Sequence, residues 1–383
     1  YGLQGNIDKN TSPFLLGNYR VENILPGGSE DMIDVSGAPN KKLRWEKTHS
    51  VNAGFDFAVL NQAINLSVDY YYRKGVDLIG TQMLPLETGF EMLTVNWASM
   101  QNQGVEVALS TRNVHTKNFM WTTNFNFAYN NNKVLKEALR EDALEPGREG
   151  YPVGALFALK TAGLDEEGYP MFQDKDGKAV SAMEFFKLQE WGFGATDLTA
   201  RERRELYTYV GTADCPYTGG FNNTFTYKAF ELGVNFSFDF GGKVRSQPTY
   251  SIVDFDKGRN TNRDILNRWT PENTETIFPV LLSQNERLDE YMWYSNQNEI
   301  YRNLDIWIRD LNYVRLQNIR LGYTLPTNFS RTLGMTSATV AIEGRNLLVF
   351  GSSYKNYLDP ETMSNAYATP APKSVTLSLN LIF

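Results

Sequence analysis

Apolar residues recur at every second position through nine stretches of this 383-residue chain, with polar residues between them. Period two is the mark of a strand with one apolar and one polar face. In HSVNAGFDFAVL, Val51, Ala53, Phe55, Phe57 and Val59 lie opposite Ser50, Asn52 and Asp56. INLSVDYYYR follows with Ile64, Leu66, Val68, Tyr70 and Tyr72 on one face and Asn65, Ser67, Asp69 and Arg73 on the other. QGVEVALSTR and FMWTTNFNFAYN form a second predicted pair, FNNTFTYK and FELGVNFSFDF a third, YVRLQNIRLGYTLP and SATVAIEGRNLLVF a fourth. The ninth stretch is VTLSLNLIF, Val375 to Phe383. The phase slips near Gln317 and near Arg345, which predicts β-bulges there.

The connections fall into two classes. Within pairs they are short, at 61–63, 113–118, 228–229 and 326–336. Between pairs they are long, at 74–102, 133–219, 243–310 and 351–373. If neighbouring strands are antiparallel, all short turns gather at one rim and all long loops at the other, as in outer-membrane barrels. The alternation alone also suits a soluble β-sandwich or barrel. Three features favour the membrane. The apolar faces, rich in Phe, Tyr and Leu, carry no charge over ten or more residues; the polar faces hold few lysines; and the loop asymmetry repeats through four pairs. Tyr70, Tyr72, Trp121, Tyr129, Tyr227 and Tyr323 fall toward strand ends, where amphipathic rings suit a membrane interface.

Composition removes alternatives more than it adds any. A net charge of −7 argues against nucleic acid as a partner. No apolar run reaches the about 18 residues of a membrane-spanning helix, a criterion that barrel strands escape. The 23 Phe, 21 Tyr, 7 Trp and 30 Gly fit a strand-rich chain with many turns. Cys215 is the one cysteine, which excludes an intrachain disulfide or a multi-cysteine metal site.

No catalytic site, cofactor or metal site is expected. His49 and His115 are the only histidines, each at a strand end or turn, and no triad, P-loop or dinucleotide motif surrounds them. DKDGK, Asp174 to Lys178, opens like a calcium loop but has no glutamate at the twelfth position, and reads as an Asp-Gly turn. Asp165, Glu166 and Glu167 read as solvated surface. TARERRELYTYV, Thr199 to Val210, predicts a short helix in the longest loop, either a solvent-facing ornament or part of a docking surface. The same loop carries Tyr151, Phe157, Tyr169, Phe172, Trp191 and Phe193 among charges, a mixture that suits an interface with a partner protein or packing within the loop itself.

Several stretches together resemble one family, the SusC/RagA-type TonB-dependent transporters of Bacteroidota outer membranes. YGLQGN resembles its YGxxGN; NKKLRWEKTHSVNAGFDF its NPxLxWE and following strand; MQNQGVEVAL its NxGxE strand. CPYTGGFNNTFTYKAFEL, FSFDFGGKV, NRWTPENT, LNYVRLQNIRLGYTLP, NLLVF and YLDPE follow in the family's order. Lys41-Lys42 and Ala213-Asp214-Cys215 depart from its usual residues.

The resemblance implies an all-β fold: a transmembrane antiparallel barrel of roughly 22 strands, of which residues 1–383 would supply about nine C-terminal ones with long extracellular loops. It implies that the plug domain and TonB-contacting segment lie outside these residues. Leu377, Leu379, Leu381 and Phe383 would face lipid, with the terminal aromatic as assembly signal. The expected function is TonB-coupled import of a bulky nutrient, an oligosaccharide or a peptide. A SusD-like surface lipoprotein would be the lid, and two such transporter–lipoprotein pairs would form a dimer. An adhesin, export gate or scaffold is the alternative use of such a barrel.

Overall fold

A computed structural model describes residues 1–7, 12–15, 17–25, 28–35, 37–90, 92–189, 196–246, 258, 263–281, 302–332, 334–351, 359–363 and 368–383. In chain order the strands are β1 (Gly2–Asn6), β2 (Gly17–Leu25), β3 (Gly28–Val35), β4 (Glu46–Val59), β5 (Ile64–Met83), β6 (Met92–His115) and β7 (Phe119–Lys136). A long connection holds β8 (Ala155–Leu159), β9 (Thr161–Leu164), β10 (Pro170–Gln173), β11 (Ala179–Val180), helices α1 (Ala182–Phe185) and α2 (Ala200–Glu205), and β12 (Tyr207–Thr212). Then come β13 (Tyr217–Tyr227), β14 (Phe230–Arg245), β15 (Ile308–Thr324), α3 (Thr327–Thr332), β16 (Ser337–Phe350) and β17 (Ser374–Ile382).

Ten of these strands make one antiparallel sheet in the order β1-β4-β5-β6-β7-β13-β14-β15-β16-β17. All nine predicted strands are in it, consecutive and in sequence order. The two bulges are present as well. Gln317 is passed over between Leu316 and Asn318 on both sides of β15, and opposite it Asn346 and Leu347 bulge out of β16 with Asn346 at φ 53°.

Three predicted details are corrected. The tenth strand, β1, is too short and too glycine-rich for alternation to reveal it, and it pairs with β4 only over Glu46–Ser50. The connection expected at 74–102 is mostly strand: past a bulge between Gly75 and Leu78, β5 and β6 stay paired as far as Met83 and Met92. Their extension is anchored by side chains, with Asn96 Nδ2 donating to the carbonyls of Arg44 and Asp77, both at 2.7 Å. The helix expected over 199–210 stops at Glu205, and Tyr207 to Thr212 pair with β8 instead. Its start is set by a capping box: Thr199 Oγ1 accepts from the Glu202 amide, and the Glu202 carboxylate accepts from the Thr199 amide. β2 and β3 form a separate hairpin that the alternation does not indicate.

The apolar face of the sheet is a continuous band. From Phe230 to Phe240 it covers about 34 Å of strand at ~3.4 Å per residue. A tilt of about 40° reduces that to roughly 26 Å, close to the ~25 Å apolar band of membrane barrels. Rings pair across neighbouring strands along it: Trp121 with Phe225 (centroids 5.5 Å apart), Phe221 with Phe236 (4.8 Å) and Phe230 with Tyr323 (4.6 Å). Toward the loop rim Tyr129 stacks on Tyr217 at 5.1 Å. Leu377 of β17, 76% exposed, continues the band at the last strand beside Ile342. No helix among the described residues is long and apolar enough to cross a membrane.

Candidate functional site

The polar face of the sheet is built in cross-strand rows. One row runs Asn65, Ser110, Asn124, Asn222, Asn235, Asn318, Arg345 and Ser374, one residue from each of eight strands. The row above it runs Asp56, Ser67, Ala108, Asn126, Gly220 and Ser237. Between β4 and β14, Asp56, Asn65, Ser67, Ser110, Asn124 and Asn222 of these rows line a recess of about 530 Å³ on the polar face. Short neutral side chains dominate it, offering hydrogen-bond donors and acceptors with little charge. Next toward the loop rim, Asp69 and Glu106 lie side by side, and Asp239 occupies the same row three strands on. The inner wall therefore passes from neutral amides to carboxylates on the way to the loops.

At that rim the wall is tied to a loop. Arg315, 2% exposed, gives Nη2 to the Asp359 carboxylate and Nε to Glu361 Oε1 at 2.8 Å. Its neighbour Tyr313 donates its hydroxyl to Asp239 Oδ2 at 2.5 Å, with Glu361 Oε1 at 3.3 Å. Asp359 also accepts from the amides of Glu361 (3.1 Å) and Ala371 (3.2 Å). Burial pushes the Asp359 carboxyl up; the Arg315 guanidinium and the two amides outweigh it and hold the group below the usual aspartate range. The connection between β16 and β17 is thus latched to the inside of the sheet by a buried ion pair.

Above the rim stands a second body with its own apolar core: Leu159, Phe172, Val180, Phe185, Phe186, Leu304 and Trp307. It draws on two connections, β7–β13 and β14–β15. Polar ties between the two support it: Thr161 Oγ1 donates to Asp305 Oδ1 at 2.5 Å, and the Leu159 amide donates to the Asn303 carbonyl at 2.8 Å.

The aromatic residues expected to dock a partner separate into three groups. Phe172 is fully buried, and Tyr169 packs against the same core; both serve the loop body, so they are withdrawn as docking residues. Trp191 and Phe193 lie outside the described residues. Tyr151 and Phe157 form an open trio with Tyr209, from the stretch Thr199 to Val210: Tyr151 lies 4.7 Å from Tyr209 and 5.3 Å from Phe157. Burial, with Tyr151 adding to it, raises the Tyr209 phenol above its ordinary value.

The weaker motifs resolve locally. DKDGK is the turn between β10 and β11, with Asp174 Oδ1 accepting from the amides of Asp176 (3.0 Å) and Lys178 (2.7 Å) and Gly177 at φ 79°. Asp165 caps its own turn through the amides of Glu167 and Tyr169. His49 Nδ1 is 2.8 Å from the Tyr1 hydroxyl on the outer side of the sheet. Among the described residues no group of His, Cys, Asp and Glu has the arrangement of a metal site.

Residues 18–156 match a family model described as TonB dependent receptor-like, beta-barrel. TonB-dependent receptor P3 of Formosa agariphila is 27% identical over 411 residues, covering 100% of this chain and 39% of its own length. TonB-dependent receptor SusC of Bacteroides thetaiotaomicron is 26% identical over 365 residues, covering 89% of this chain and 32% of that protein. The chain therefore spans well under half the length of these relatives. Among solved structures, the RagAB peptide transporter superposes with a TM-score of 0.73 at 23% identity, over 99% of this chain and 40% of that one. That likeness is one of fold.

Proposed function

This chain is a stretch of SusC/RagA-like TonB-dependent receptor β-barrel, an outer-membrane protein, and we propose that residues 1–383 are the C-terminal portion of the wall of a nutrient importer. The cargo class is a bulky polar molecule, an oligosaccharide or a peptide; the peptide reading takes support from the likeness to the RagAB peptide transporter. TonB coupling would reside in a plug and TonB-contacting segment supplied by sequence outside these residues. A SusD-like lipoprotein would close the loop side, and two such pairs would associate.

The observation that carries this reading is the polar wall of Asn and Ser rows. Neutral amides and hydroxyls let a polar solute exchange water for wall contacts without a deep electrostatic trap, which suits passage rather than retention. Sheet edges support barrel closure by further strands: an unpaired backbone group in hydrocarbon costs several kcal/mol, and β4 is covered by β1 only at its loop end. The adhesin or scaffold alternative needs loops that grip a partner but no polar passage.

The test uses the complete receptor in its native host. Deleting the gene, or the host's TonB, should abolish growth on one polymeric or peptide nutrient while smaller units of the same nutrient still support it. Unchanged uptake of every tested oligosaccharide and peptide would reject import.

A further inference from the structure

The outer side of β4 to β7 carries a second cross-strand row, just above the apolar band. His49, Lys74, Gln101 and Lys133 are paired in register across four adjacent strands. Alternation places them on the same face as Val51, Tyr70, Tyr72, Val105 and Tyr129, hence on the lipid side. The neighbouring rows step down from polar Gln103 and Asn131 to Tyr70, Val105 and Tyr129, so the cations stand at the height where headgroups begin. Tyr72 Oη reaches up to Gln101 Oε1 at 3.4 Å.

The neighbouring cations divide by height on the wall. Lys47, nearer the loop rim, is paired with Asp77 at 3.5 Å, and Arg44 with the same carboxylate. Lys74 and Lys133 have no carboxylate partner among the described residues. Lys136 lies 3.5 Å over the Trp97 ring, one strand apart and further up the same side. Two strand spacings of about 4.8 Å put Lys74 and Lys133 roughly 10 Å apart across Gln101. The two ammonium groups thus stand on the lipid side of the wall, separated from the top of the apolar band by the row of Tyr72, Gln103 and Asn131.

We propose that this row binds the phosphate groups of anionic lipid in the outer leaflet, with Lys74 and Lys133 as the ammonium contacts and His49 and Gln101 as hydrogen-bonding neighbours. Cations at the membrane surface attract anionic headgroups, and each contributes separately. The site would orient the receptor at a fixed depth and hold a lipid annulus on this side of the wall.

The test uses the complete receptor, purified in mild detergent and titrated with bisphosphorylated lipid A, fully dephosphorylated lipid A, or inorganic phosphate. The wild type should gain thermal stability with the bisphosphorylated lipid alone, and lose that gain as salt is raised. K74E/K133E should weaken the apparent affinity by roughly tenfold or more, while K175E/K178E in the distant loop turn should leave it unchanged. If the charge reversals prevent heat-resistant assembly, K74Q/K133Q carries the same comparison with a smaller expected loss. Equal affinity in wild type and variant, equal stabilisation by the dephosphorylated lipid, or an equal effect of inorganic phosphate would each overturn the proposal.

Discussion

Tyr71 lies across Gly104 on the inner wall, and its hydroxyl donates to Asn130 Oδ1 at 2.9 Å on the strand beyond. The three residues are in register on β5, β6 and β7, so the ring bridges three strands by crossing the one position without a side chain. A Cβ at Gly104 would stand 2.1 Å from the Tyr129 carbonyl and 2.5 Å from the Tyr71 hydroxyl. The first neighbour is backbone and cannot swing aside. Gly104→Ala should cost about 1–3 kcal/mol through forced displacement of β7, whereas Tyr71→Phe should cost only about 1 kcal/mol for one hydrogen bond. Urea titration of the refolded barrel gives the order of the two.

The two faces of β14 make opposite predictions for one kind of substitution. Phe236 stacks on Phe221 in the middle of the apolar band, and Asn235 beside it belongs to the inner amide row. Phe236→Arg should destabilise the barrel by roughly 2–4 kcal/mol, as expected for a cation at mid-bilayer. Asn235→Arg should be tolerated far better. Equal losses in heat-modifiable gel mobility would mean the faces are assigned the wrong way round.

The latch between Arg315 and Asp359 predicts a cost that depends on which partner is removed. Asp359→Asn leaves the buried guanidinium with Glu361 as its remaining carboxylate and should cost less than the about 3–5 kcal/mol of a fully unpaired buried charge. Replacing both by apolar residues, as in R315M/D359L, should recover much of that. Hydrogen exchange at the Glu361 and Ala371 amides, both near Asp359, reads the opening directly.

Acid should release the same latch, in a defined window. Because the folded Asp359 carboxyl is held below its ordinary value, its contribution is complete above about pH 4 and is lost only as pH falls through the lowered folded value. Exchange at Ala371 should therefore be flat from neutral pH to about pH 5 after correction for intrinsic rates, and rise only under stronger acid. A release centred near pH 6 would assign control to another group.

The proposal that the long loop docks a partner rests on the open trio of Tyr151, Phe157 and Tyr209. Tyr151→Ala with Tyr209→Ala should reduce co-purification of a surface lipoprotein while the barrel and loop body stay folded. Phe172→Ala should instead loosen the loop body itself, at about 3–5 kcal/mol for a fully buried ring. Limited proteolysis separates the two effects, since only the second should expose new cleavage sites between β7 and β13.

What is legible in the sequence is whatever repeats at short range. Nine strands, their faces and the bulges at Gln317 and just past Arg345 all follow from period-two alternation, because a band facing lipid tolerates few exceptions. β1 is hidden because YGLQGN has glycines where apolar residues would signal a strand. The upper arms of β5 and β6 are hidden for another reason: above the membrane neither face must be apolar, so the alternation weakens while the hydrogen-bond ladder continues. Arg315 gives no sign that it is buried, since its counter-ions sit 44 and 46 residues further along the chain. For Phe172 the sequence leaves docking and packing within the loop both open, because its core partner Trp307 arrives from a different connection.

That shared core has a consequence for the order in which the chain can fold. Leu159 and Phe172 must wait for Leu304 and Trp307, which enter the structure only with β15. The β13–β14 hairpin lies between the two contributions, so a register error in any of β7, β13, β14 or β15 would carry the halves of the core apart. Contacts of such long sequence separation form late. The loop body thereby acts as a checkpoint on the wall beneath it, consolidating only when four strands have been laid down side by side in the correct sequence.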